Sequence, residues 1–118
     1  MDSLLKAGHP VDAVNASDGM TPLHLAMAQF GYWALECMTF LMNFDADVNA
    51  LDGRGWTPLH YAVDGAIKDE DELRMRAVQK LTRSPASDFS IETPEGKTAL
   101  QMARDAQRQD LIDCFTLT

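Results

Sequence analysis

Apolar residues of this 118-residue chain gather into short stripes whose members lie three or four positions apart, which is the spacing of one helix face. Three stripes predict helices over residues 34–43, 71–83 and 110–116. Their members are Leu35, Met38, Leu41 and Met42, then Leu73, Ala77, Val78 and Leu81, then Leu111, Ile112, Cys114 and Phe115. The pattern therefore predicts short helices that each bury one face.

A repeated motif marks a second set of segments. Residues 19–26, GMTPLHLA, recur as residues 55–62, GWTPLHYA, and more weakly as residues 96–103, GKTALQMA. A second signature precedes each copy, and it reads PVDA at 10–13, DVNA at 47–50 and DFSI at 88–91. Because both signatures keep their order three times, the sequence indicates a protein built from repeats.

Each letter of the motif has a physical reason. Glycine tolerates the positive backbone angles of a tight turn, so a turn is predicted before each helix. Threonine can cap the helix start, and proline suits the first helical turn, where its missing amide hydrogen has no partner. His24 and His60 follow, but no base, nucleophile or further ligand recurs in step with them, so we interpret both as structural.

The two intact TPLH motifs resemble the mark of the ankyrin repeat family, whose unit is a turn followed by two antiparallel helices. The resemblance covers nearly the whole chain and implies an all-α solenoid of helix pairs joined by β-hairpin-like loops. It implies one domain, 1–118, with a partial repeat at 1–15 and full repeats at 16–50, 51–91 and 92–118. It also implies that Asn49 occupies a hairpin position that is hydroxylated in some members of the family.

The chain departs from the family pattern in its repeat lengths and at its two ends. Gly19 and Gly55 are 36 residues apart and Gly55 and Gly96 are 41 apart, whereas the usual period is about 33. We expect the extra residues in enlarged loops around the aromatic positions 30–33 and the charged run 65–72. Both ends of the predicted stack are apolar, which favours either a segment of a longer protein or ends that another surface covers.

Charge and hydropathy exclude some classes of partner. The chain carries 10 Lys and Arg against 18 Asp and Glu, a formal net charge of −8, with Arg74, Arg76 and Lys80 scattered along one predicted helix. This balance predicts no binding to nucleic acid. No apolar run approaches a membrane span and no secretory signal is visible, so we predict no direct membrane insertion and an intracellular, cytoplasmic setting, with an organelle left open.

Candidate chemistry is sparse. Cys37 and Cys114 are predicted to be buried, reduced thiols in different repeats, too far apart for a disulfide. The sequence contains no zinc-ligand spacing, phosphate-binding glycine loop or nucleophile elbow, so we predict no metal, no cofactor and no enzymatic activity.

The resemblance implies a scaffold or adaptor that binds another protein through hairpin tips and the concave side of the first helices. Carried over position by position, the predicted binding residues are Met20, Arg54, Trp56, Glu95 and Lys97 at the tips and Gln29, Asp64 and Asp105 on the first helices. Trp56 is the favoured anchor, although a tryptophan here can also pack on adjacent hairpins. The alternative is a structural or accessory part of a larger assembly, which contacts neighbours through the apolar stack ends and the cluster of Phe30, Tyr32 and Trp33.

Overall fold

The computed structural model describes residues 17–29, 33–44, 46–69, 72–84 and 87–116. These residues form six helices and no strand. In chain order the helices are α1 (Pro22–Gln29), α2 (Ala34–Asn43), α3 (Pro58–Lys68), α4 (Glu72–Arg83), α5 (Ala99–Asp105) and α6 (Gln109–Thr116). The second helix of each pair lies where the apolar stripes predict it, within one or two residues.

The helices pack in two rows. Each consecutive pair forms contacts, α1 with α2, α3 with α4 and α5 with α6, and one pair falls within each predicted repeat. The first helices α1, α3 and α5 also pack in sequence, and the second helices α2, α4 and α6 form a parallel row of contacts behind them. The prediction of an all-α solenoid is confirmed, while the boundaries of the repeats stay predictions.

Local chemistry fixes the start of each first helix. Gly19, Gly55 and Gly96 have φ angles of 72°, 77° and 85°, which glycine adopts without strain. A Cβ atom on Gly19 would lie 2.7 Å from the backbone nitrogen of Gly53, so this turn also needs the small residue for close approach. The Thr57 hydroxyl accepts a hydrogen bond from His60 N at 3.3 Å and thereby caps α3. The predicted turns and caps are thus present.

The core is formed by the buried faces of both rows. Its largest fully buried apolar side chains are Leu23, Met27, Met38, Leu81, Leu111, Val63 and Val78. Leu73, which the second stripe includes, is instead 43% exposed. The buried face of α4 follows positions 74, 77, 78 and 81, so Arg74 rather than Leu73 lies on that face. The Arg74 side chain packs against Gly65, where any larger residue would collide with it.

Two further expectations about the fold are wrong. Cys37 is exposed, because the buried stripe of α2 runs through Ala34, Met38 and Leu41 and turns Cys37 away from it. Cys114 is buried as predicted, and burial raises the pKa of its thiol. The sequence predicts an enlarged loop around residues 65–72, but residues 65–68 continue α3 as a helix.

Candidate functional site

The second hairpin tip, residues 52–57, is held together by one side chain. The Asp52 carboxylate accepts hydrogen bonds from Arg54 N at 2.9 Å and Trp56 N at 3.0 Å. Its other oxygen accepts the hydroxyl proton of Tyr61 on α3 in a short hydrogen bond. Asp52 N donates to Trp56 O at 3.0 Å, which closes the tip. The tip is therefore tied both to itself and to the first helix beneath it.

These hydrogen bonds set the charge state of the tip. Burial alone would raise the pKa of Asp52, but the hydrogen bonds from Tyr61, Trp56 and Arg54 outweigh burial and hold that pKa below its usual value. Burial and the adjacent Asp52 carboxylate raise the pKa of Tyr61 to about 12. The pair is accordingly a carboxylate and a neutral phenol at physiological pH.

An aromatic and cationic cluster sits on this tip. The Arg54 guanidinium carbon lies 4.7 Å from the centre of the Trp56 ring, at a distance typical of a cation–π interaction. The Trp56 ring also packs 5.0 Å from Tyr61 and 5.8 Å from His60, measured between ring centres. Trp56 is half-buried and Arg54 is exposed. The predicted anchor is thus part of the fold on one face and accessible on the other.

Neighbouring tips are linked to one another. Gly53 N donates to Asp18 O at 2.8 Å, which joins the first tip to the second. Asp88 N donates to the side-chain oxygen of Asn49 at 2.8 Å, which joins the segments before the second and third motifs. The hydroxylation of Asn49 stays a prediction. These bonds link the three motif regions in order along the stack, and we call the row of their tips the ridge of tips.

The other predicted binding residues are spread over the tips and the first helices. Glu95 and Gln29 are exposed, and Met20 is half-buried against the core. Lys97 forms an ion pair of 2.5 Å with Asp105 on α5, which brings two predicted residues together. Asp64 forms an ion pair of 3.0 Å with Lys68 one turn further along α3. Phe30 and Tyr32 lie outside the described residues.

Both motif histidines are structural in geometry. His24 Nδ1 lies 3.0 Å from Thr21 N and 2.9 Å from its hydroxyl, and His24 Nε2 lies 2.8 Å from Trp56 O in the next repeat. His60 Nδ1 makes the same two contacts with Thr57, at 3.0 and 2.9 Å. Both rings are fully buried against the threonine of their own motif, as the interpretation from the sequence requires.

Two grooves lie apart from the tips. The end groove, of about 750 Å³, is mainly apolar and is lined by Pro22, Leu25, Ala26, Gln29, Trp33, Ala34, Glu36, Cys37, Phe40 and Leu41. Trp33, from the predicted aromatic cluster, is 62% exposed there. The basic groove, of about 620 Å³, is lined by Leu35, Thr39, Met42, Asn43, Arg76, Gln79, Lys80, Arg83 and Ser84. The sequence alone predicts only scattered cations on α4, because their common setting depends on α2.

Neither metal nor membrane chemistry is indicated by the part of the chain that the structure describes. Within it, no group of three or more His, Cys, Asp or Glu side chains could hold a metal ion. No helix there has the length and apolar character needed to cross a bilayer.

Two rows of stacked helices with linked hairpin tips define a helical-repeat protein. The sequence model described as "Ankyrin repeats (3 copies)" matches residues 1–75. The chain belongs to the ankyrin repeat family.

Three curated relatives match most of the chain, which spans only 7% to 19% of their own length. Rabankyrin-5 of Mus musculus is 36% identical over 89 residues, which is 75% of this chain and 7% of the relative. RelA-associated inhibitor of Mus musculus is 32% identical over 102 residues, 84% of this chain and 11% of the relative. NF-kappa-B inhibitor cactus of Drosophila melanogaster is 33% identical over 105 residues, 87% of this chain and 19% of the relative.

Proposed function

We propose that this chain is a non-catalytic protein-interaction module that binds its partner along the ridge of hairpin tips. The observation that carries the proposal is the Arg54–Trp56 cluster, whose backbone is hydrogen-bonded to Asp52. A tip whose backbone is already held by hydrogen bonds binds at lower entropic cost, and tryptophan and arginine dominate binding hot spots. Two relatives whose names call them inhibitors, RelA-associated inhibitor and cactus, support a regulatory use of such a surface.

Replacing both Arg54 and Lys97 by alanine should lower the affinity for a partner about tenfold, because both exposed cations lie on the ridge. The measurement is a titration by isothermal calorimetry of a partner first recovered with the tagged chain and then purified. Trp56→Ala is a poor probe, since Trp56 packs on Tyr61 and His60 and its loss would also weaken the fold.

The matched control is Gln109→Ala, an exposed position at the start of α6 in the row of second helices. It should leave the affinity unchanged. If the control weakens binding as much as the double variant does, or if the double variant binds like the original chain, the ridge is not the binding surface.

A second function is supported by the end groove, namely that the chain is a segment of a larger assembly that packs on this end of the stack. Phe40 is 51% exposed and Trp33 62% exposed beside it, and exposed apolar patches of this kind mark contact sites. The isolated chain should then self-associate at increasing concentration in sedimentation velocity, and Phe40→Glu should make it monomeric. A chain that stays monomeric at all concentrations would contradict this role.

A further inference from the structure

The basic groove lies between two second helices, away from the ridge of tips. On α2, Leu35, Thr39 and Met42 follow one another at intervals of four and three residues, so they share one face of the helix. On α4, Arg76, Lys80 and Arg83 have the same spacing. Two matched stripes, one mostly apolar and one cationic, therefore face the same space.

The groove stays open because the two second helices are less closely packed than the first helices. α2 and α4 approach each other closely at fewer positions than α1 and α3 do. Leu35 and Met42 are half-buried and form an apolar floor, while Lys80 and Arg83 are exposed at the rim. A ligand could thus contact apolar and charged groups at once.

The charge of the groove is opposite to that of the whole chain. The chain has a formal net charge of −8, yet none of the described residues that line this groove is acidic. Arg76 has a weak, exposed ion pair with Glu72, at 3.6 Å. Lys80 and Arg83 form no ion pair with another described residue. Two of the three cations are therefore available to an anionic partner.

The spacing of the cations indicates the kind of anion. Arg76 and Arg83 are seven positions apart, which is about 10 Å along a helix. A single phosphate needs donors that converge on one point, whereas a row of carboxylates along a peptide matches a row of cations. An apolar floor also suits leucine or phenylalanine side chains, because their burial there is favourable.

We propose that the basic groove binds an acidic amphipathic segment of a partner protein, with its carboxylates on Arg76, Lys80 and Arg83 and its apolar side chains on Leu35 and Met42. This second surface is independent of the ridge of tips, so the chain can hold two protein segments at once, one on the ridge of tips and one on the row of second helices.

The test uses a fluorescein-labelled peptide of about 16 residues, with leucine or phenylalanine at every third or fourth position and glutamate elsewhere, a length that forms about four helical turns. Fluorescence anisotropy measures its affinity for the full chain. Lys80→Glu combined with Arg83→Glu should weaken binding at least tenfold, and Met42→Gln should weaken it several-fold. Rising salt should weaken binding to the unchanged chain as well.

The matched control is Lys68→Glu combined with Arg104→Glu, two exposed cations on first helices, which changes the net charge of the chain by the same amount. It should change the affinity less than threefold, about 0.6 kcal/mol. Circular dichroism checks that each variant keeps its helices. If the variant with Lys80→Glu and Arg83→Glu does not fold, the variant with Lys80→Gln and Arg83→Gln is used in its place. Arg54→Ala should leave peptide binding unchanged, which separates this proposal from the ridge of tips.

Three results would overturn the proposal. The first is equal loss in both charge-reversal variants, because binding would then follow only the net charge. The second is equal affinity for a scrambled peptide of the same composition, because the apolar floor would then have no role. The third is displacement of the peptide by a short DNA duplex or by vesicles of anionic phospholipid at lower concentrations than by unlabelled peptide, because the groove would then prefer phosphates.

Discussion

Asp52→Ala is expected to lower the free energy of unfolding by about 3 kcal/mol, because one buried carboxylate accepts hydrogen bonds from three donors. Two of the donors are the backbone nitrogens of Arg54 and Trp56, and the third is the hydroxyl of Tyr61. Asp52 is 8% exposed, so water cannot fully replace it as an acceptor. Urea unfolding followed by far-ultraviolet circular dichroism measures the change.

Two further variants separate the contributions of the individual hydrogen bonds to the free energy of unfolding. Asp52→Asn keeps an oxygen for the two backbone nitrogens and should cost about 1 kcal/mol, while Tyr61→Phe removes one donor and leaves the tip closed, at a similar cost. If Tyr61→Phe costs as much as Asp52→Ala, the bonds to Arg54 and Trp56 contribute nothing to stability, and the role of Asp52 in shaping the tip is wrong.

The hydrogen-bonded pair of Asp52 and Tyr61 also predicts how the free energy of unfolding varies with pH. Because the folded pKa of Asp52 is lowered, its contribution is present above its unfolded pKa, about 3.9, and is lost as the pH falls through the lower folded value. The pKa of Tyr61 is raised to about 12, so its contribution is complete below its unfolded pKa near 10 and is lost as the pH rises toward 12. Between about pH 5 and 9 the cost of either substitution should be constant.

The sequence predicts those features of the fold that arise within a few residues. A hydrogen bond from Thr57 to His60 and a positive φ angle at Gly55 depend only on the local motif, so the letters of the motif suffice to predict them. The same holds for the second helices, since a stripe at helical spacing defines which face can be buried.

Features that depend on two distant segments could not be predicted in the same way. Arg74 takes the place expected of Leu73 because Gly65, on the preceding helix, leaves room for its side chain. The basic groove needs both the cations of α4 and the stripe of α2, which meet only after the repeats stack. The net charge of the whole chain therefore does not reveal that this acidic protein has a basic groove.

His24→Ala is expected to lower the free energy of unfolding by about 4 kcal/mol, since it removes a fully buried ring, its bonds to Thr21 and a link to the next repeat. His24 Nδ1 accepts the backbone hydrogen of Thr21, so the ring proton lies on Nε2 and is donated to Trp56 O, 2.8 Å away. Without the ring, Thr21 N and Trp56 O each lose a buried partner.

His60→Ala provides the comparison, because His60 makes the same bonds to its threonine but its buried Nε2 has no hydrogen-bond partner at standard distance. It should cost about 3 kcal/mol, roughly 1 less than His24→Ala. Burial lowers the pKa of His60, and the carbonyl groups of Lys97 and Ile91 only partly oppose this effect. The contribution of His60 to stability is therefore present above about pH 6.5 and is lost as the pH falls through the lower folded pKa.

Hydrogen exchange distinguishes a link between repeats from a local loss of packing. In His24→Ala, the amides of α1 and α2 should exchange much faster while those of α5 and α6 change less, because the first repeat is then held to the second by fewer bonds. His60→Ala should instead increase exchange most in α3. Two results would contradict this link: equal exchange in all described helices of His24→Ala, or a loss of unfolding free energy no larger than that of His60→Ala. The hydrogen bond to Trp56 O would then not couple the repeats, and the packing of the ring alone would explain why the motif contains a histidine.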